Sequence, residues 1–301
     1  MISFKTIKQR IRSQKAWFFY TVSTMLLWGA WGALTELPEK NGFPTILSYS
    51  VWAISMIPCA LIALKFADWK LEYDRRSWML GSLVGILGSG STLILFYTLR
   101  IGPAYLIFPI IALSPVVTVI LSVLFLRERA SRMSWIGIIF ALIAVPLLSW
   151  QSGENGGNSE YFWLILTLFV FLMWGLQAFF MKFANRTMNS ESIFFYMMLT
   201  GLLFIPVSIY MTDFSKPINW GLSGPYLSFI IQILNAIGAL LLVYAFRYGR
   251  AVIVSPLINA GAPLITVALS LILYRVIPNI VVVAGMVCAI FGAFLLATET
   301  D

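Results

Sequence analysis

The sequence predicts an all-α integral membrane protein with ten transmembrane helices, arranged as two inverted five-helix repeats, and with both termini cytoplasmic. Of its 301 residues, 60% are hydrophobic and 11% are charged. Soluble domains carry about 25% charged residues, so a soluble fold could not cover this much apolar surface. The placement of Lys and Arg and an internal repeat are the other two observations behind this prediction.

Ten apolar runs of membrane-spanning length are separated by short segments that contain Pro, Gly or charged residues. A spanning helix needs about 20 apolar residues, so ten helices leave no room for a soluble domain. The basic segment from Lys5 to Lys15 precedes the first run without a small-residue cleavage site, and we interpret that run as a retained helix. The predicted helices are 17–36, 44–65, 78–99, 103–126, 133–150, 161–183, 191–211, 224–246, 251–274 and 279–298.

The Lys and Arg residues are unevenly distributed between alternate loops. Sixteen of the 20 lie in the amino-terminal segment or in loops on its side of the membrane, and the others are Lys40, Arg100, Lys216 and Arg275. Cytoplasmic segments are enriched in Lys and Arg, so both termini are predicted to be cytoplasmic and the membrane to be the inner (plasma) membrane. Because the net charge of +8 lies in loops, a nucleic-acid partner is not predicted.

An internal repeat divides the chain into residues 1–150 and 151–301. Residues 97–109 align with residues 244–256, with Tyr, Arg, Gly, Ala and Pro in register. Each half has an odd number of predicted helices, so the second half enters the membrane from the opposite side, as in many transporters. The other matches are Trp28 with Trp174, Pro58 with Pro206, Pro115 with Pro263, and Gly137 with Gly285.

Three motifs resemble those of the drug/metabolite transporter superfamily, in its ten-helix branch of two EamA-type repeats. They are Trp28-Gly-Ala-Trp-Gly32, Tyr97-x-x-Arg-x-Gly102 and Leu126-Arg-Glu-Arg129. The resemblance covers essentially the whole chain and implies a central cavity between the halves, alternating access and no cofactor. The second half departs from the pattern, because Tyr274-Arg-Val276 stands where the segment around Glu128 would recur.

Seven aromatic or polar residues predicted deep within helices are candidates for substrate binding. Trp28 and Trp31 share one face of the first helix, and Trp174 and Gln177 repeat that spacing in the sixth. Such faces can stack a planar solute. Tryptophan also favours membrane interfaces, and buried polar groups also bond neighbouring helices, so ordinary packing is the alternative. The candidates are Trp28, Trp31, Ser114, Trp174, Gln177, Asn235 and Asn259.

Three charged residues are candidates for gating or coupling. The carboxylates lie in loops or at the ends of predicted helices, except Glu36, which falls within the first helix near its outer end, and the chain has no histidine. No proton-relay group is therefore predicted deep in the membrane, and coupling stays open. Arg100 and Arg247 are equivalent in the two repeats and either act in gating or extend to the interface.

Matched prolines are candidates for helix breaks in the fourth and ninth helices. They are Pro109 and Pro115 in the first half, and Pro256 and Pro263 in the second. Proline removes an amide donor and leaves a carbonyl four residues back without its partner. Matched breaks in two repeats indicate a binding site, and simple bending is the alternative.

The sequence thus favours a transporter of a small organic metabolite over an enzyme. An aromatic, amide-rich cavity suits an amino acid, a nucleobase or a similar neutral, zwitterionic or amphiphilic solute. Export is favoured, and import of a nutrient such as a sugar is the alternative; a membrane enzyme and a non-transporting scaffold or sensor are weaker ones. The predicted partners are the solute and the lipid bilayer, without metal or cofactor, and the protein is a monomer or a homodimer.

Overall fold

The computed structural model describes residues 4–101, 107, 110–148, 150, 162–274 and 279–297. These residues form ten principal helices and no strand, which confirms the predicted all-helical membrane fold. Six segments are long and apolar enough to cross a membrane, namely α2, α3, α6, α7 together with the short helix that follows it, α8 and α9, and α4, α5 and α10 are shorter apolar helices. The helices are α1 (Phe4–Leu34), α2 (Thr45–Phe66), α3 (Arg75–Ile101), α4 (Pro115–Leu126), α5 (Arg132–Leu148), α6 (Phe162–Ala184), α7 (Ser190–Leu203), α8 (Leu227–Tyr248), α9 (Ala251–Tyr274) and α10 (Ile280–Ala297).

Three helices differ from their predicted bounds by more than a few residues. Helix α4, predicted from residue 103, begins at Pro115 after a turn at residues 112–114, because proline suits the first turn of a helix. Helix α1 begins at Phe4, well before residue 17, because its Lys- and Arg-rich first turns are good helix formers that need not lie in hydrocarbon. Helix α7 stops at Leu203 and resumes as a short helix, Ile205–Tyr210. Pro206 near the start of that helix has no amide hydrogen to continue the preceding one.

The two halves pack across each other. Helix α1 packs against α8 and α9, whereas α6 packs against α3 and α4. Helix α2 packs against α7, and α5 packs against α10. Helices α1 to α5 correspond to α6 to α10. The contacts of α1 with α8 and α9 therefore have counterparts in the contacts of α6 with α3 and α4, and the α2–α7 and α5–α10 pairs each join two corresponding helices. The main apolar core therefore forms between the halves.

Two glycines let α1 and α6 approach the helices of the opposite half closely. A Cβ added at Gly29 in α1 would lie 2.5 Å from the Cβ of Ile265 in α9. A Cβ added at Gly175 in α6 would lie 2.4 Å from the Cβ of Val117 in α4. Small residues at such crossings are typical of membrane helices, whose association depends on close packing. We call these two contacts the glycine joints.

A hydrogen bond accompanies each glycine joint. The Thr266 hydroxyl of α9 donates to the Gly29 carbonyl at 3.0 Å, and the Thr118 hydroxyl of α4 donates to the Gly175 carbonyl at 3.0 Å. The four residues occupy corresponding positions in the two halves. Both the close approach and the hydrogen bond at the first joint therefore recur at the second joint.

We predict that Gly29→Ala and Gly175→Ala each destabilise the protein by about 1–3 kcal/mol, because the new methyl group must displace a partner helix. Gly90→Ala is the matched control, since the nearest atom to its Cβ is 3.4 Å away, at the flexible end of Met173. Thermal unfolding in detergent measures the effect. Equal melting temperatures for Gly29→Ala, Gly175→Ala and Gly90→Ala would contradict the close approach.

Candidate functional site

The aromatic face of α1 lies against α8. The Trp28 indole N–H donates to the backbone carbonyl of Asn235 at 3.3 Å, and the Trp31 indole N–H donates to Oε1 of Gln232 at 3.0 Å. Both tryptophans are half-buried, whereas Gln232 is buried. Gln232 is not among the sequence candidates, although its position one turn before Asn235 on the same helix face was a usable signal. These contacts bring Trp28, Trp31 and Asn235 together.

The corresponding face of α6 lies against α3 and α4. Trp174 packs against a small apolar cluster that includes Leu95 and Ile111. Gln177 lies beside Gly88 of α3, where an added Cβ would come within 2.1 Å of Nε2. Gly88 therefore provides space for this amide.

The side-chain amides of Gln177 and Asn235 are both half-buried. Neither forms a side-chain hydrogen bond among the residues that the structure describes. Because both amides are partly accessible, they can bind water or a polar solute. Asn259 instead donates from Nδ2 to the Ser255 carbonyl of its own helix at 2.9 Å, which leaves its oxygen available.

The candidate prolines have different local structures in the two halves. Helix α9 runs without interruption through Pro256 and Pro263. In the first half the chain makes a turn that ends at Ser114, which is buried, and α4 begins at Pro115. Pro109 lies outside the described residues. The role of these residues in binding stays a prediction.

The predicted gating residues lie at different ends of the bundle. Glu36 is exposed and pairs with Lys40 at 2.8 Å, one helical turn away. Arg247 lies at the end of α8 and donates to the carbonyls of Asn185 and Met188. The side chain of Arg100 lies outside the described part of the chain.

The end of the bundle that carries the loops after α2, α4, α6 and α8, here called the basic end, contains a buried carboxylate. Glu128 is the second residue after the end of α4, and its side chain is 5% exposed. Its Oε2 accepts the amide hydrogen of Val252 at 3.1 Å, and its Oε1 lies 3.8 Å from the Lys182 ammonium. From the sequence, Glu128 is expected outside the predicted helices, and its burial is not predicted.

Lys182 of α6 connects the carboxylate to the end of α8. Its ammonium donates to the Phe246 carbonyl at 2.9 Å and to the Gly249 carbonyl at 2.5 Å. The side chain is 13% exposed. Glu128 and Lys182 together bind both sides of the short turn between α8 and α9.

Two arginines of the second half also bind the segment 126–129. Arg186 donates to the Leu126 carbonyl at 3.1 Å, and Arg250 donates to the Arg129 carbonyl. Arg127 within this segment has a positive φ of 55°, which ends α4 and turns the chain. The segment that follows α4 is therefore held by several groups of the opposite half.

The environment of Glu128 changes its proton affinity. Burial raises the pKa of its carboxyl above the ordinary value, because the charged form is costly to desolvate. Lys182 and the amide hydrogens of Val252 and Ala251 oppose that shift. The carboxylate therefore depends on these partners to stay charged.

A groove of about 490 Å³ also lies at the basic end. It is lined by Arg75, Arg76, Met79, Leu80 and Phe183, and includes none of the predicted substrate-binding residues. Within the described ranges, no three His, Cys, Asp or Glu residues are grouped as a metal site would need.

These helices and contacts define a polytopic membrane protein whose two halves hold each other through matched helix crossings. The family model of the EamA-like transporter family matches residues 15–150 and again residues 161–298. The chain belongs to the EamA-like transporter family. The resemblance to the drug/metabolite transporter superfamily is thereby confirmed.

Relatives and a solved structure agree with this assignment. An uncharacterized transporter of Sinorhizobium sp is 32% identical over 141 residues, which are 45% of this chain and 97% of that protein. An uncharacterized protein of Methanocaldococcus jannaschii is 32% identical over 111 residues, 37% of this chain and 79% of that protein. One crystal structure has a TM-score of 0.71 at 18% identity, covering 95% of this chain and 97% of that chain. At that identity the likeness shows the fold alone.

Proposed function

We propose that this protein moves a small organic metabolite across the inner membrane by alternating access, with residues 1–150 and 151–301 acting as two inverted repeats. The observation that carries this proposal is the pair of glycine joints, one in each half, at corresponding positions. Alternating access in such folds is a rocking of one repeat against the other around a central site. Matched joints supply two equivalent contacts around which this motion can occur.

The relatives support the division into repeats. The transporter from Sinorhizobium matches almost over its whole length, yet it covers less than half of this chain. The family model likewise matches twice, with a boundary between residues 150 and 161. One repeat of this chain is therefore about as long as the whole Sinorhizobium transporter.

The half-buried side chains between the repeats support a neutral, zwitterionic or amphiphilic solute. Trp28 and Trp31 offer aromatic surface, and the amides of Asn235 and Gln177, which have no side-chain partner among the described residues, offer both donors and acceptors. An amino acid or a nucleobase combines a flat or apolar part with such polar groups. We favour export, and import of a sugar-type nutrient is the alternative.

Ligand-dependent thermal stabilisation of the purified protein tests the substrate class. Amino acids, nucleobases, sugars and cationic amphiphiles are compared, since a ligand that binds only the folded state raises its stability by mass action. A nucleobase or amino acid hit is then followed by uptake into liposomes with and without a proton gradient. Chemical turnover of the hit without its movement would favour the membrane-enzyme alternative.

We predict that Trp28→Ala and Asn259→Ala lower the transport rate roughly 10-fold, corresponding to about 1.4 kcal/mol of lost interaction. Trp78→Ala is the matched control, because Trp78 is 48% exposed on the outside of α3. Transport in liposomes is compared at equal amounts of folded protein. Normal transport by both Trp28→Ala and Asn259→Ala would contradict the site.

Glu36→Gln is predicted to retain transport within about 2-fold of the parent protein. Its side chain is exposed, and its ion pair with Lys40 is local to one turn, an arrangement worth at most about 1 kcal/mol. Liposome transport measures the effect. Loss of transport in well-folded Glu36→Gln protein would show that this carboxylate is needed for coupling.

Both termini are predicted to be cytoplasmic, because the basic end carries most of the Lys and Arg residues. A fluorescent protein fused after residue 301 should fluoresce, and alkaline phosphatase fused after residue 155 should be active outside the cytoplasm. The reverse pattern in the two fusions would show that the chain is inserted with the opposite orientation.

A further inference from the structure

The contact between Glu128 and Lys182 joins the two halves at the basic end. Glu128 follows α4 of the first half, and Lys182 lies in α6 of the second half. Their charged atoms are 3.8 Å apart, and both side chains are largely shielded from solvent. Separating the halves at this end would require breaking this contact and solvating both charges.

Each of the two charges also satisfies the end of a helix with the complementary polarity. The Glu128 carboxylate accepts from Val252 in the first turn of α9, where unpaired amide hydrogens give the helix end a partial positive charge. The Lys182 ammonium donates to Phe246 and Gly249 at the end of α8, where carbonyls give a partial negative charge. Each charge therefore lies at the helix end that has the opposite partial charge.

The sequence does not repeat this pair at the corresponding positions of the opposite end. In the register of the repeat, Val276 corresponds to Glu128, and Glu36 corresponds to Lys182. Val276 has no charge with which to pair, and Glu36 instead pairs with Lys40 in its own part of the chain. If the halves were identical, the states closed at either end would have equal free energies. A charged pair that joins the halves at the basic end, and that the sequence does not repeat at the corresponding positions, removes that equality.

We propose that Glu128 and Lys182 form a one-sided latch that closes the basic end and makes this closed state the resting state of the transporter. The proposal rests on the proposed alternating-access function and identifies the residues that close one end. Each transport cycle must open the latch, so both residues position the halves and need not touch the solute. Arg186 adds a separate bond to the same segment through the Leu126 carbonyl.

Thiol labelling measures opening of the basic end without any substrate. Ser255 lies one turn beyond Val252 in α9 and is 3% exposed. Ser255→Cys therefore reports whether a reagent can pass the Glu128–Lys182 contact from the basic end. Cys288→Ala removes one native thiol, while the buried Cys59 of α2 is kept as an internal measure of general loosening. A charged maleimide labels the protein in lipid nanodiscs, and peptide mass spectrometry separates the two sites.

Glu128→Gln and Lys182→Gln are each expected to raise the labelling rate at residue 255 about 10-fold, within the usual range of coupling between two conformations. Labelling at Cys59 should stay unchanged. Lys70→Gln is the matched control, because it removes an exposed charge at the same end and should leave the rate at residue 255 unchanged. Unchanged labelling in both Glu128→Gln and Lys182→Gln would overturn the proposal.

Arg186→Gln keeps the proposal testable if the buried substitutions impair folding. Arg186 is exposed, so its removal leaves no buried charge without a partner. The loss of one hydrogen bond to the Leu126 carbonyl should raise labelling at residue 255 roughly 2- to 10-fold. In folded Arg186→Gln protein, a rate equal to that of the parent would count against the latch.

Exchanging the two charges tests the part played by the helix ends. Combined Glu128→Lys and Lys182→Glu would place a cation at the start of α9 and an anion at the end of α8. We expect labelling at least as fast as in either neutralised variant. Recovery of the parent rate would show that the ion pair alone closes this end and would contradict the role of the helix ends.

The outcomes separate the latch from the proposed function. Labelling at residue 255 needs no substrate, whereas the thermal and liposome measurements need no reporter cysteine. Transport without any latch effect would reject the latch and retain the function. A latch effect in a protein that moves no solute would reject the function and show a gate with another purpose.

Discussion

The close approach of backbones at the glycine joints is the constraint on which the rest of the bundle depends. In a bilayer, lipid tails are as apolar as the side chains, so helix association relies on packing and hydrogen bonds instead of the hydrophobic effect. Gly29 and Gly175 permit that packing, and Thr266 and Thr118 add a hydrogen bond at each crossing. Because each joint connects opposite halves, neither half can complete its core alone.

The glycine joints are alike in the two halves, whereas the charged contacts at the two ends of the bundle differ. At the basic end, Glu128 accepts from Val252 and pairs with Lys182 of the opposite half, and Arg186 donates to the Leu126 carbonyl of the opposite half. At the corresponding positions Val276 stands in place of Glu128 and Glu36 in place of Lys182, so the sequence does not repeat this pair between the halves. The helix packing is thus nearly symmetric, but the charged contacts at the two ends are not. Under the proposed latch, this difference favours the conformation that is closed at the basic end.

Most of the fold follows from the sequence, because the thickness of the bilayer fixes the length of each apolar run. The same rule does not predict that α1 continues back to Phe4, since the basic residues there form helix without needing hydrocarbon. It also does not predict the break at Phe204, which depends on where Pro206 falls within the helix. Helix existence is thus predicted better than helix ends.

The candidate site is less accessible to sequence reasoning. Spacing along α1 placed Trp28 and Trp31 on one face, but the pairing of Trp31 with Gln232 spans 201 residues and depends on how α1 crosses α8. Burial of Glu128 likewise depends on the distant turn between α8 and α9. The sequence does contain one indication of its role, because the position that corresponds to Glu128 in the second repeat is Val276. A charge that is present in only one repeat indicates a function specific to one end.

Distances across both ends of the bundle, measured in one protein population, test alternating access most directly. Spin labels at residues 132 and 187 report the basic end, and labels at residues 39 and 215 report the opposite end; all four positions are exposed. With the solute identified by thermal stabilisation, our account predicts that its binding or turnover lengthens one distance while the other shortens. Two distances that stay fixed, or that change in the same direction, would contradict it.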